Sequence, residues 1–222
     1  MIATLLDFDG VLVDSEPVHL AAFNDVLEAA SLPTIDGREY AERYLSLDDA
    51  GVFRAILSRG GRTPREDDVA ALVAAKSPRF MLRFEGEFRV FPGAPELIAR
   101  RSARGPVGIV SGALEREIIF ALDKMGVRSQ VVFVVAAEHS PASKPDPAPF
   151  RIALGELARV GHAGAAVVVE DSIGGVIAAK RAGLRCVAVT HTYAAAELVN
   201  AGADASAPDL ASLTDTLIEG ID

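Results

Sequence analysis

A chain of 222 residues, 50% apolar and 24% charged, has a globular rather than a disordered composition, and is long enough for one domain of roughly 150 residues with a smaller insertion. Its formal charge of −9 opposes binding to nucleic acid or to an anionic membrane surface, so any anionic substrate must be held by local cations. The single cysteine, Cys186 in the apolar run CVAV, excludes an internal disulfide and reads as a small buried hydrophobe in a reducing compartment.

The first apolar run has no basic region before it and meets an aspartate almost at once, which does not fit a signal peptide. No uninterrupted apolar segment is long enough to span a bilayer, and a soluble cytoplasmic protein is the expectation. Within LLDFDGVLVDS, residues 5–15, a strand-length run delivers Asp7 and Asp9 to its end, and Gly10 lets the backbone turn away. Two acids two residues apart on an extended chain point to the same side. Such crowding of like charge calls for a cation, and magnesium with oxygen ligands suits it.

Helical spacing follows at 17–30, with Ser15 as N-cap and Pro17 in the first turn, then at about 47–58 and 66–85 around the breaker SRGGRTP, residues 58–64. No segment between 16 and 88 alternates as a strand, so this stretch reads as an all-helical insertion. After Phe91 short apolar runs begin at 106, 131, 166 and 186 and alternate with helix candidates at 94–104, 114–124, 147–159 and 174–181. That alternation is the pattern of a parallel sheet with right-handed crossovers. Helices at 194–200 and 209–219 flank a weak strand near Ala203. The predicted boundaries give a sheet domain of residues 1–15 and 89–222 and an inserted helical domain of residues 16–88.

Ligands of an open parallel sheet gather at the carboxyl ends of its strands, so the polar residues that interrupt the apolar runs should meet there. These are Asp7 with Asp9, Ser111 with Gly112, a loop reaching Lys144, and Glu170 with Asp171. The set suits phosphoryl transfer, which needs an in-line nucleophile and neutralised phosphoryl oxygens. Asp7 is the candidate nucleophile, forming an aspartyl-phosphate, and Asp9 the acid that protonates the leaving alcohol and then activates water. Mg2+ would be held by the Asp7 carboxylate, the Asp9 backbone carbonyl and Asp171, with Glu170 direct or through water. Ser111, the amides after Gly112 and the Lys144 ammonium would receive the phosphoryl group. An EF-hand loop is excluded, because the acid and glycine it needs further along the first motif are absent.

Four motifs in order, DFDGVLVDS at 7–15, VSGA at 110–113, SKPDPAPF at 143–150 and VVVEDSIGGVIAAKRAG at 167–183, make the chain resemble the haloacid dehalogenase superfamily of aspartate-dependent phosphohydrolases. It is similar to the beta-phosphoglucomutase-like branch, whose helical cap follows the first motif. The resemblance implies a doubly wound Rossmann-like α/β core, essential Mg2+ and a cap that closes over the substrate. It also implies that His19, in DSEPVH, helps position the acid/base aspartate, and that Lys76 faces the substrate from the cap. Dehalogenases and phosphonatases lack the second acid found here at Asp9, which favours phosphate esters. The segment YLSLDDAG, 44–51, lacks the arginine expected of hexose phosphomutases. The reading is a phosphatase acting on a small phosphorylated metabolite, sugar phosphates first, in a monomer or weak homo-oligomer. The alternatives are a mutase on the same scaffold and a receiver-like phospho-acceptor module.

Overall fold

The computed structural model describes residues 1–45, 47–59, 61 and 63–220. Gly60 and Arg62 of the predicted breaker and Ser46 of the 44–51 segment lie outside them. The chain divides into two compact units, Met1–Asp14 with Arg89–Asp222, and Ser15–Phe88.

The first unit is built on β1 (Ala3–Leu6), β2 (Val107–Val110), β3 (Phe133–Val135), β4 (Ala166–Glu170), β5 (Arg185–Val189) and β6 (Ala205–Ala207). All pairings are parallel, in the order β3-β2-β1-β4-β5-β6. Such a sheet needs apolar strands because both faces are covered, and every residue of β1 and β2 is buried. The order reverses between β1 and β4, so the crevice past their carboxyl ends is the switch point where an open sheet binds ligands. The helices of this unit, Ala94–Ser102, Glu115–Lys124, Ala148–Arg159, Ile173–Arg181, Ala195–Asn200 and Asp215–Glu219, alternate with the strands as the spacing predicts. Leu5, Phe150, Val168 and Cys186 share its core, and burial pushes the Cys186 thiol well above its ordinary range.

Two expectations about this unit change. The helix predicted at 209–219 is confined to Asp215–Glu219, because the Asp209 carboxylate accepts from Ser212 N in a turn and Thr214 caps the short helix through Leu217 N. The extended geometry assumed for Asp7 and Asp9 also fails: β1 ends at Leu6, and Leu12 N and Val13 N both donate to Phe8 O. Asp9 therefore sits in a turn rather than one strand repeat beyond Asp7.

The second unit is helical, as its spacing predicts, with α1 (Glu16–Ala29), α2 (Gly37–Arg43), α3 (Asp49–Leu57) and α4 (Glu66–Glu87). Helical spacing does not mark α2, which is only two turns long; it starts where the Asp36 carboxylate accepts from Glu39 N. Phe23, Tyr40, Phe53 and Ile56 form its core, with Phe23 edge-on to Phe53 at 5.2 Å between ring centres. Truncating either phenylalanine to alanine costs about 3–5 kcal/mol.

Candidate active site

Asp7 leaves β1 still tied to the sheet, its N–H donating to Val169 O at 3.0 Å, which aims it at the end of β4. There Glu170 is the last strand residue and Asp171 the first beyond it. Oxygens of Asp7, Glu170 and Asp171 lie within 4.8 Å of one another, and all three residues are buried. Gly10 and Gly175 make room for two of these carboxylates. Gly10 has φ +76°, and a side chain there would fall on the Asp171 carboxylate, while one at Gly175 would fall on that of Glu170.

One lysine faces these acids. Lys144 Nζ donates to Asp7 Oδ1 at 2.7 Å, to Glu170 Oε1 at 2.5 Å and to Val110 O at 2.8 Å, which uses its three N–H bonds. Burial alone would lower its pKa, but the charges of Asp7 and Glu170 hold it above the ordinary lysine range. The other oxygen of Glu170 accepts from the Asp171 and Ser172 amides and the Ser172 hydroxyl, so both its oxygens are engaged. Ser172 also caps the helix Ile173–Arg181 by accepting from Gly175 N.

The balance of charge is one ammonium against three carboxylates. Burial, reinforced by Glu170, raises the Asp7 pKa from 3.8 to about 7, with Lys144 only partly offsetting the rise. Burial together with the charges of Asp7 and Glu170 lifts Asp171 well above its ordinary value. Excess buried negative charge on hard oxygen donors fits a divalent cation such as Mg2+, Mn2+ or Ca2+. The charge of Asp9 acts on Asp7 more weakly than that of Glu170, so the crowding predicted between Asp7 and Asp9 is exceeded by that between Asp7 and the β4 pair.

The second motif lies at the end of β2. Ser111 is buried, and its Oγ accepts from Ala113 N at 3.0 Å, which leaves the hydroxyl proton as a donor; Gly112 beside it is exposed. The amides expected to receive a phosphoryl group further on are already engaged: Leu114 N donates to Glu117, and Glu115 N to Glu138. The acidic side chains of this helix start and the neighbouring loop take those donors.

His19 and Lys76 belong to the helical unit and meet each other there. Lys76 is 1% exposed; its ammonium lies 2.8 Å from His19 Nδ1 and 4.0 Å from the centre of the Phe23 ring, and it is ion-paired with Asp49. His19 stacks on Phe80 at 4.2 Å, and burial with the nearby Lys76 charge holds its imidazole neutral, well below the usual range.

Sequence reasoning missed the segment after β5. Thr192 Oγ1 donates to Asp171 Oδ2, and His191 Nδ1 lies 2.8 Å from Gly10 O with its ring stacked on Phe91. Polar residues THTY interrupting an apolar run are the same signal that marked the other strand ends, and applying that rule to β5 would have found them.

Residues 4–189 match the family model of the haloacid dehalogenase-like hydrolases. Phosphoglycolate phosphatase of Rhodospirillum rubrum is 33% identical over 97% of this chain and 90% of its own length. Protein CbbY of Cereibacter sphaeroides is 32% identical over 91% and 89%. Among solved structures, CbbY from Rhodobacter sphaeroides in complex with phosphate superimposes with a TM-score of 0.83 at 29% identity, covering 99% of this chain and all of that one. A mutant of that protein in complex with xylulose-(1,5)bisphosphate gives 0.81 at 30% identity, over 96% of each chain.

Proposed function

The chain belongs to the haloacid dehalogenase-like hydrolase family, and on that premise we propose that it is a magnesium-dependent phosphatase that cleaves small phosphomonoesters through an aspartyl-phosphate on Asp7. The observation that carries this reading is the surplus of buried carboxylate at the switch point of the sheet, opposed among the described residues by Lys144 alone. The relatives support the substrate class, since they include phosphoglycolate phosphatases and a protein crystallised with a sugar bisphosphate.

The residues divide the work as follows. Lys144 holds Asp7 through Oδ1, so Oδ2 is the oxygen that attacks phosphorus. The ester P–O bond breaks as the Asp7–phosphorus bond forms, and Asp9 gives its proton to the departing alkoxide. Asp9, now ionised, takes a proton from the water that attacks the same phosphorus, releasing phosphate and restoring the Asp7 carboxylate. The Ser111 hydroxyl donates to a phosphoryl oxygen and keeps the group in line. Asp7, Asp171 and the Asp9 backbone carbonyl are the residues that would hold the ion, with Glu170 behind them. When bound, Mg2+ neutralises phosphoryl charge and favours the ionised form of Asp7. Glu170, itself held by the Ser172 hydroxyl, fixes the Asp171 amide and, through Lys144, the nucleophile.

The test is a phosphate-release screen over phosphoglycolate, xylulose and ribulose bisphosphates, hexose phosphates and glycerol phosphate, each with Mg2+ and with chelator. The reading expects Mg2+-dependent release from at least one of them. Isomerisation of a hexose phosphate that requires a bisphosphate activator and frees no phosphate would replace it with the mutase.

A further inference from the structure

The ion proposed above needs Asp171, and the structure controls how many oxygens Asp171 can offer. Thr192 lies three residues past the end of β5, and its hydroxyl donates to Asp171 Oδ2. The same oxygen is the nearest atom to the space that a side chain at Gly10 would occupy. Oδ2 is thus hydrogen-bonded on one side and packed against backbone on another, which leaves Oδ1 for coordination. The Thr192 segment is itself held in place: His191 donates from Nδ1 to Gly10 O at 2.8 Å, and its ring lies 4.0 Å from that of Phe91 at an interplanar angle of 15°.

The number of oxygens offered matters because the hard cations differ in what they accept. Mg2+ demands near-ideal octahedral geometry at short distance, whereas Ca2+ is larger, takes six to eight oxygens and readily accepts both oxygens of one carboxylate. We infer that Thr192 is a positioning residue that confines Asp171 to one-oxygen coordination and so sets the preference of this site for Mg2+ over Ca2+. The inference rests on the divalent-ion reading of the site and extends it to a residue outside the four motifs.

The experiment titrates the full-length, chelator-treated protein with Mg2+ alone and with Ca2+ alone by calorimetry, without substrate, for wild type, Thr192→Val and Thr192→Ser. Valine keeps the shape of threonine and removes the hydroxyl. Loss of such a supporting hydrogen bond costs on the order of 10–100-fold in metal affinity, so Thr192→Val should lose Mg2+ binding by that factor. Its Ca2+ affinity should fall less, because the freed oxygen becomes available to the larger ion. Thr192→Ser should restore both the affinity and the Mg2+/Ca2+ ratio, which a role in packing alone would not produce. If Thr192→Val does not fold, Thr192→Ala is read in the same way.

An unchanged Mg2+/Ca2+ ratio in folded Thr192→Val, or a serine variant that behaves like valine, overturns the inference while leaving the ion site standing. Wild-type protein that binds neither ion, or an Asp171→Asn variant that binds both ions as tightly as wild type, removes the site itself and the inference with it.

Discussion

The two ends of the central strand β1 each bury a cation, and they treat it differently. At the amino end Arg101 is fully buried, with Nε on Thr4 Oγ1 at 2.9 Å and Nη1 on Asp215 and Glu219 at 2.9 and 2.7 Å. Arg104 shares Glu219, and Arg100 lies 3.6 Å from Asp215, so two carboxylates face three guanidiniums in a network whose carboxylates are all matched. At the carboxyl end, among the described residues, Lys144 alone faces Asp7, Glu170 and Asp171. Matched charge locks the C-terminal helix Asp215–Glu219 to the strand, whereas unmatched charge of one sign leaves a place for an ion. The local balance of charge, rather than burial itself, distinguishes the part of the fold that holds from the part proposed to react.

Substituting the two cations tests this contrast most strongly. Lys144→Met should lower phosphate release by on the order of 10²–10³-fold, since it removes the charge that fixes the nucleophile. Steady-state kinetics will check it, and a variant within threefold of wild type, by roughly the scatter expected of single-site effects, would erase the distinction. Arg101→Met should instead destabilise the fold by about 1–3 kcal/mol, because it removes buried hydrogen bonds to Thr4, Asp215 and Glu219 that Arg100 and Arg104 replace only in part, while kcat per folded molecule is retained. Urea unfolding with activity corrected for the folded fraction separates these outcomes; a large loss of kcat with unchanged stability would put Arg101 on the reacting side.

The smallest effect concerns acid. Hydrogen bonds from Arg104 and Arg101 hold Glu219 down at about 2 from an ordinary 4.5. A depressed carboxyl stabilises the fold above its unfolded pKa, and that contribution is lost as pH falls from about 4.5 toward 2. Glu219→Gln should flatten the acid limb of stability over this window, measured as urea midpoint against pH. A variant that keeps the wild-type slope would show that other groups carry the acid sensitivity.

Much of this was legible in the sequence because it depends on local rules. Alternating apolar runs and helices point to the parallel sheet, and polar residues ending the runs point to Asp7, Ser111, Glu170 and Asp171, whereas Lys144 lies in a loop beyond its run and stands out by its motif. What escaped depends on contacts distant in sequence. Lys144 and Asp7 are 137 residues apart, and nothing local says that all three lysine N–H bonds go to protein acceptors. The Arg101 network joins residues 114 and 118 positions apart. Strand geometry carried past Leu6 puts Asp7 and Asp9 side by side, but a turn through Phe8 O takes over there. Resemblance places Lys76 toward substrate, while spacing gives no sign of the Asp49 and His19 that meet its ammonium.

The central claim is that the Asp7 carboxylate both accepts the phosphoryl group and helps to hold the ion. The most direct measurement compares wild type with Asp7→Asn for Mg2+-dependent phosphate release and, on the same samples, for the rise in thermal unfolding temperature that Mg2+ produces. The account predicts that the variant folds, releases no phosphate above background and loses most of the Mg2+-induced rise. Wild-type turnover in Asp7→Asn would contradict it.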